Sequence, residues 1–335
     1  VAVGQHRTVG RVRMGATLGR DTFGHGRGCR EVRLYGPHDR QPRTDHRERR
    51  GPIDRRPPPW FSRRHDDVPH DNDGEARVAV PGKTDLDPQY ADAWMRRWDA
   101  QQEGYIADRE ERFTVVADVV EHATRDNSAP VIVDLGAGPG SLAGRLAHRI
   151  PAAQLIAVDA DPVLLALGHA HYGSSVRFVD ADLSDPSWPE SAELPQQVDA
   201  AVSSTALHWL DPKRLADLYA RLATHIRPGG VFVNADHLRL GGGMVEEFAE
   251  RARETRAERV GDAGNEGWRD WWDAVLADNL LAPLVQERSQ RAIQHGGSEN
   301  EFSVQDHTEL LRKVGFSEVG AVWQSGDDHV LVAVR

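Results

Sequence analysis

Residues 131–146 read VIVDLGAGPGSLAGRL, and this stretch limits what the chain can become more than any other. Val131, Ile132, Val133 and Leu135 make a short apolar, β-branched run, the pattern of a strand buried in a parallel sheet. Gly136, Gly138 and Gly140 follow at alternate positions, and Ser141-Leu142 opens an amphipathic helical pattern. A strand, a glycine turn and a helix start build a loop in which a ligand meets bare backbone. Gly136 and Gly138 permit φ angles and a close approach that a Cβ forbids. Free N–H groups at the helix start favour a polar or anionic ligand end. The alternative is a tight strand-to-helix turn that holds nothing.

The same alternation of strand and helix continues downstream. In QLIAVDAD, Leu155–Val158 form a second strand that Asp159 ends. A carboxylate roughly 20 residues past the glycines can accept both hydroxyls of a ribose, a strong, charge-assisted contact. Taken alone, Asp159 could equally be a helix-cap acid. Asp161-Pro162 starts the next helix, which gives Asp161 a capping role. SVRFVDADL supplies a third strand, Val176–Val179, then Asp180, Asp182 and Leu183. VDAAVSSTALHWLDP supplies a fourth, Val198–Val202, with Ser203, Ser204 and Thr205 at its carboxyl end, the edge where open parallel sheets bind ligands. On the loop beyond it, His208 reads either as a satisfied structural histidine or as a substrate contact or general base. Trp209 reads as core packing or as a substrate contact. In RPGGVFVNADH, Gly229-Gly230 ends the preceding helix and Val231–Ala235 is a fifth strand. The tail predicts a helix over Asp306–Val314 stopped by Gly315, then Val319–Trp323 and His329–Val334 as a hairpin. The sum is an α/β fold: a doubly wound, seven-stranded, mostly parallel sheet with a carboxyl-terminal antiparallel hairpin.

Three segments flank or interrupt that pattern. Residues 1–85 are rich in Arg, Pro and Gly, with isolated apolar residues and no period, and read as a disordered extension. A basic arm for nucleic acid is the second reading. A third is an open frame upstream of the natural start in a GC-rich gene, which would put that start near Val78 to Lys83. Next, apolar residues at helical spacing from Trp94 to Val120 predict two helices broken near Gly104, starting at Asp87-Pro88. Finally, a helical insert spans about 238–301 within the domain 86–335. Trp268, Trp271 and Trp272 cluster there, either as the core of a helical cap or as a lid lining a substrate pocket.

Charge and cysteine content narrow the partners. Residues 1–80 hold 17 Arg and 11 Asp or Glu, yet the whole chain has a net charge of −11, so the body is strongly acidic and a poor polyanion binder. Nucleic acid is therefore an unfavoured partner, and a small molecule the favoured one. The one cysteine, Cys29, excludes an internal disulfide framework and fits a reducing, cytoplasmic setting. No run approaches the roughly 18 apolar residues of a membrane span. No metal-ligand spacing is present, and nothing sets an oligomeric state.

Through DLGAGPG, VDAD, DADL, RPGGVFV and the closing hairpin, the chain from about Asp87 to Arg335 resembles the class I S-adenosylmethionine (SAM) methyltransferases. The G-x-G-x-G spacing differs from the G-x-G-x-x-G of dinucleotide sites. ALHWL is similar to the trans-aconitate and related small-molecule carboxyl methyltransferase branch. The resemblance implies a Rossmann-like sheet with SAM as cofactor. It puts Asp134, Gly136, Ala137, Gly138 and Gly140 around the methionine part. Asp159 and Ala160 would meet the ribose, and Asp182 and Leu183 the adenine, with Ser203 at the neighbouring strand end. Tyr105, Arg109 and Arg112 are candidates for the cofactor carboxylate. His208 would be catalytic, and Trp209, Trp268 and Trp272 would face the substrate. The expected reaction is methyl transfer to an oxygen nucleophile, a carboxylate or a hydroxyl. The competing readings are an NAD-dependent oxidoreductase, a nucleic-acid methyltransferase using the arginine arm, and a SAM-binding protein without catalysis.

Overall fold

The computed structural model describes residues 86–104, 106–260, 266–291 and 302–335. The expected extension over 1–85, Tyr105 and the Gly296-Gly297 segment lie outside the described residues. The chain opens with two helices, α1 (Pro88–Glu103) and α2 (Arg109–Thr124). It then alternates β1 (Val131–Leu135), α3 (Ser141–Arg149), β2 (Gln154–Asp159), α4 (Pro162–Tyr172) and β3 (Arg177–Asp180). A short α5 (Trp188–Ser191) precedes β4 (Val198–Ser204), α6 (Pro212–His225) and β5 (Ile226–His237). The insert contributes α7 (Met244–Val260), α8 (Trp268–Ala277) and α9 (Ala282–Gln290), and the chain closes with α10 (Val304–Val314), β6 (Glu318–Ser325) and β7 (Asp328–Val334).

Among the described residues, seven strands form one sheet in the order β3-β2-β1-β4-β5-β7-β6. The first five run parallel, and β7 pairs antiparallel with both β5 and β6. The direction of winding reverses between β1 and β4, which opens a crevice at their carboxyl ends. Side-chain alternation divides the strands between two cores. Val133, Leu135, Val158, Ala201 and Phe232 face Leu215, Leu218 and Tyr219 of α6 and Leu311 of α10. Ile132, Ala157, Ala200 and Val233 face Phe113 and Val116 of α2 and Leu142 and Leu146 of α3. This two-sided burial explains why β1 and β4 read as continuous apolar runs.

Local signals set most boundaries. Asp87 caps α1 by accepting from Gln89 N and Tyr90 N, and Asp161 caps α4 by accepting from Val163 N and Leu164 N. Ser303 and Asp306 form a capping box at α10, and Gly315, with φ 111°, ends that helix. One boundary departs from the sequence pattern. Gly229-Gly230 does not end α6; that helix stops at His225, and the RPGG segment lies within β5. The reason is tertiary. Asp199 at the start of β4 accepts from Val131 N at 2.9 Å, Asn127 Nδ2 at 3.0 Å and Arg227 Nε at 2.6 Å, which draws Arg227 onto the sheet. Gly230 is needed there, because a Cβ would lie 2.6 Å from the Asp199 carbonyl oxygen.

A third core joins the insert to the body. Trp271 and Trp272 pack with Trp94 and Met95 of α1, Val163, Leu164 and Leu167 of α4, and Leu284 of α9. Trp271 meets Trp98 and Trp94 edge-on, with ring centroids 5.0 and 5.5 Å apart. No helix among the described residues is long and apolar enough to cross a membrane. Because Trp271 is fully buried, Trp271→Ala is expected to destabilise the fold by about 3–5 kcal/mol, measured by urea denaturation. A loss below about 1 kcal/mol would show that the insert folds separately from α1 and α4.

Candidate functional site

The glycine loop leaves β1 and curls back over the tip of β2. Gly136 N and Ala137 N both donate to the Val158 carbonyl, at 2.9 and 3.0 Å, and Gly140 N donates to Ala137 O at 2.9 Å. Gly136, Gly138 and Gly140 all have left-handed φ, at 65°, 56° and 84°. Gly136 passes so close to the loop after β4 that a Cβ would lie 2.5 Å from Ala206 Cβ. Gly138 is different: a Cβ there would find nothing nearer than 3.8 Å, where Leu164 and Trp98 stand. Its backbone is left-handed, and Leu164 and Trp98 stand at ordinary contact distance, so a methyl group would fit there without a clash. That is the cradle in the loop.

Two carboxylates frame this cradle. Asp134 is buried and accepts from Ala143 N at 3.1 Å. Asp159 accepts from Gly138 N at 2.7 Å and from Asp161 N at 2.8 Å. The donors expected to be free at the helix start are thus partly consumed by acids, and the loop is electronegative rather than anion-binding. Burial pushes the Asp134 carboxyl up to about 7, with the Asp159 charge adding to the effect. Burial likewise raises Asp159 to about 6, opposed by its backbone donors and reinforced by Asp161. A cation placed between them would be welcome.

The tip of β3 lies alongside. Asp180 is the cross-strand partner of Asp159, and Ala181 N donates to Asp159 O at 2.9 Å. Asp182 follows, exposed, with its carboxylate accepting from Ser184 N at 2.8 Å. Leu183 is half-buried against the sheet core. Gly138, Asp159 and Asp182 therefore share one edge of the sheet. Ala160 is tied by its carbonyl to Arg291, 2.9 Å away.

Across the crevice, the β4 exit is held rigidly. Ser203 is fully buried, and its hydroxyl donates to Leu135 O at 2.8 Å. It fastens β4 to β1 and does not present its hydroxyl to the cradle. Thr205 adopts φ 54°, an uncommon conformation for a β-branched residue. The buried Arg112 guanidinium donates to Thr205 Oγ1 at 2.6 Å, Ser204 Oγ at 2.9 Å and Asp328 Oδ1 at 2.8 Å. Arg109 is likewise engaged, donating to Asp99 at 2.9 Å above the Phe113 ring. Both arginines expected at the cofactor carboxylate are thus committed to protein partners. Asp99 also accepts from Ser141 Oγ at 2.7 Å, which ties α1 to the start of α3.

Beyond Thr205, His208 and the half-buried Trp209 lie on a turn, with ring centroids 4.8 Å apart. His208 Nδ1 is 2.9 Å from an oxygen of Asp236, a buried acid at the end of β5. Burial alone would raise the Asp236 carboxyl; the His208 imidazole outweighs it and holds it below the usual carboxylate range. Trp268 and Trp272 lie elsewhere, in the core between α1, α4 and α9, with the Arg288 guanidinium 4.2 Å above the Trp272 ring. Among the described residues no group of three His, Cys, Asp or Glu is placed to hold a metal ion.

Sequence reasoning passed over Asp236, Trp98, Asp99, Arg288 and Arg291. Asp236 was discoverable as an acid at the carboxyl end of a strand. The others reach the site from helices distant in sequence.

Residues 132–230 match the methyltransferase domain family. A trans-aconitate 2-methyltransferase of Azoarcus sp. (strain BH72) is 33% identical over 137 residues, which cover 41% of this chain and 49% of that protein. The trans-aconitate 2-methyltransferase of Deinococcus radiodurans is 37% identical over 112 residues, covering 32% and 39%. The chain thus spans about half the length, or less, of these curated relatives. Among solved structures, an O-methyltransferase family protein from Burkholderia thailandensis aligns with a TM-score of 0.43 at 16% identity, covering 76% of this chain and 61% of that one.

The two loop glycines separate strain from space. Gly138→Ala is expected to cost about 1–2 kcal/mol, the left-handed penalty alone. Gly136→Ala should cost about 1–3 kcal/mol more, because Ala206 must also move. Thermal denaturation of the two variants checks this. Equal losses would show that the contact at Gly136 relaxes freely.

Proposed function

With residues 132–230 a methyltransferase domain, we propose that the chain transfers a methyl group from SAM to an oxygen of a small-molecule acceptor. The observation that carries this reading is the Asp159 carboxylate, held 2.7 Å from Gly138 N at the end of β2, where it closes an acidic glycine loop. The residues fit the cofactor. Asp134, Gly136, Ala137, Gly138 and Gly140 would surround its methionine part, where two acids suit a cationic sulfonium and ammonium. Asp159 and Ala160 would take the ribose, and Asp182 and Leu183 the adenine. When bound, SAM supplies an electrophilic methyl on its sulfonium sulfur. The same acids disfavour a pyrophosphate, which counts against the dinucleotide alternative.

The protein's part is alignment, exclusion of water and control of one proton. Orientation alone can contribute up to about 7–11 kcal/mol. The closed contacts at the β4 exit supply rigidity: Arg112 pins Ser204 and Thr205, and Ser203 pins β4 to β1. His208 is the acid–base candidate. A hydrogen bond from Nδ1 to Asp236 selects the tautomer that leaves Nε2 as an acceptor. Asp236 would also stabilise the imidazolium after proton uptake. The trans-aconitate 2-methyltransferase relatives support a carboxylate acceptor. Such an acceptor is already ionised at neutral pH and needs orientation more than a base. Trp209, its ring 4.8 Å from that of His208, would offer it an aromatic wall. The acidic body continues to argue against nucleic acid as the acceptor.

Three measurements test the reading. Isothermal titration should detect SAM binding, and Asp159→Ala should weaken it on the order of 100-fold, the loss of two charge-assisted hydrogen bonds. Unaltered affinity removes the ribose role. His208→Ala should lower kcat by about 10²–10⁴-fold with a hydroxyl acceptor and by much less with a carboxylate; an equal, small effect on both removes the base. SAM affinity should also depend on pH. The folded Asp159 carboxyl, raised to about 6, gains a proton as pH falls through that value and loses its charge. Asp134, raised to about 7, loses its charge first, so affinity should begin to fall below about pH 8 and steepen below about 6, and Asp159→Asn should lose the lower step. A flat profile from pH 5 to 8, or the same slope in Asp159→Asn, would contradict that assignment.

A further inference from the structure

Four acids lie close together at the ends of β1, β2 and β3: Asp180 is in register with Asp159, and Asp134 and Asp161 both feel the Asp159 charge or act on it. Like charges this close oppose one another's ionisation, and Asp159 must be ionised to hold a ribose well. The structure meets this crowding from outside the sheet. Arg288 of α9 donates through Nε to Asp161 Oδ2, in a pair with side chains only 12% and 9% exposed. Arg291, at the end of the same helix, grips Asp180 with both arms, Nη1 to Oδ1 and Nη2 to Oδ2, each at 2.6 Å. Its Nη1 also donates to Ala160 O at 2.9 Å, and its Nη2 to Glu287. Asp180 is the cross-strand neighbour of Asp159, and Ala160 is the next residue in the chain. One guanidinium therefore binds both sides of the proposed ribose acid. The helix that carries it is anchored independently: Leu284 packs in the core with α1, α4 and α8, and Arg288 lies over Trp272.

We infer that Arg291 is a positioning residue for the cofactor: by neutralising Asp180 and bridging the exit loops of β2 and β3, it leaves Asp159 as the ionised acceptor at the spacing a nucleoside needs. Arg288 does the same for Asp161 behind it. The insert thereby completes the cofactor side of the crevice, a role distinct from lining an acceptor pocket. This rests on the SAM reading above.

Titration calorimetry with SAM and with S-adenosylhomocysteine, paired with thermal denaturation, tests it on the full chain. Arg291→Ala should weaken both ligands at least tenfold with a melting point close to that of the unaltered chain. Asp180→Asn in the Arg291→Ala background should recover most of the affinity, since the charge that Arg291 balanced is then gone. Arg291→Lys, which restores charge without the two-armed grip, should fall between. A merely structural pair would lose melting temperature, and the second substitution would not restore binding. Equal affinity of the unaltered and Arg291→Ala chains overturns the inference alone, as does a loss that Asp180→Asn fails to repair. Absence of binding by the unaltered chain overturns this inference together with the cofactor reading.

Discussion

The hydrogen bond from Gly138 N to Asp159 Oδ2 ties the loop after β1 to the tip of β2. Everything proposed for the nucleoside side depends on it. It requires a left-handed Gly138, a strand that ends in an acid, and a parallel pair in register from Val131–Gln154 to Leu135–Val158. It also makes the cradle electronegative, since Asp134 takes Ala143 N from the other side. A buried carboxylate that accepts a backbone donor but meets no cation is held above its ordinary range, as Asp134 and Asp159 are.

The opposite wall of the crevice is built by a different device. There Ser203 and Arg112 are held by partners within the protein. Arg112, wholly buried, gathers Ser204, Thr205 and Asp328 from two strands and a loop. That grip holds Thr205 in a conformation costing about 1–3 kcal/mol in isolation, and so sets where the turn bearing His208 begins. Asp236 then reaches His208 from β5. One wall is acidic, the other rigid, which suits a cationic donor meeting an acceptor that must be oriented.

The insert changes meaning once its contacts are seen. Its tryptophans are half of a shared core with α1 and α4. From that core α9 extends Arg288 and Arg291 to the acid that caps α4 and the acid that ends β3. The segment therefore belongs to the β2–β3 side of the sheet edge as much as to any lid.

The succession of strands, the glycine loop and the acids at the strand ends were legible in the sequence because they are local. A β-branched run, a left-handed turn and an acid one step past a strand are each specified by neighbours a few residues away. The hairpin and the caps at Asp87 and Asp161 were legible for the same reason. The tertiary structure decided which polar groups remain available to a ligand. Ser203, Arg109 and Arg112 looked like binding groups and are spent on Leu135, Asp99 and Asp328. Arg288 and Arg291 gave no local signal and reach the acids beyond β2 and at the end of β3. It also placed Gly229-Gly230 inside β5, because Asp199 bonds to Arg227. Sequence alone thus determined the scaffold and one half of the cradle. The allocation of charge around it depends on pairs as far as 216 positions apart, such as Arg112 and Asp328, and no short-range pattern encodes distances of that kind.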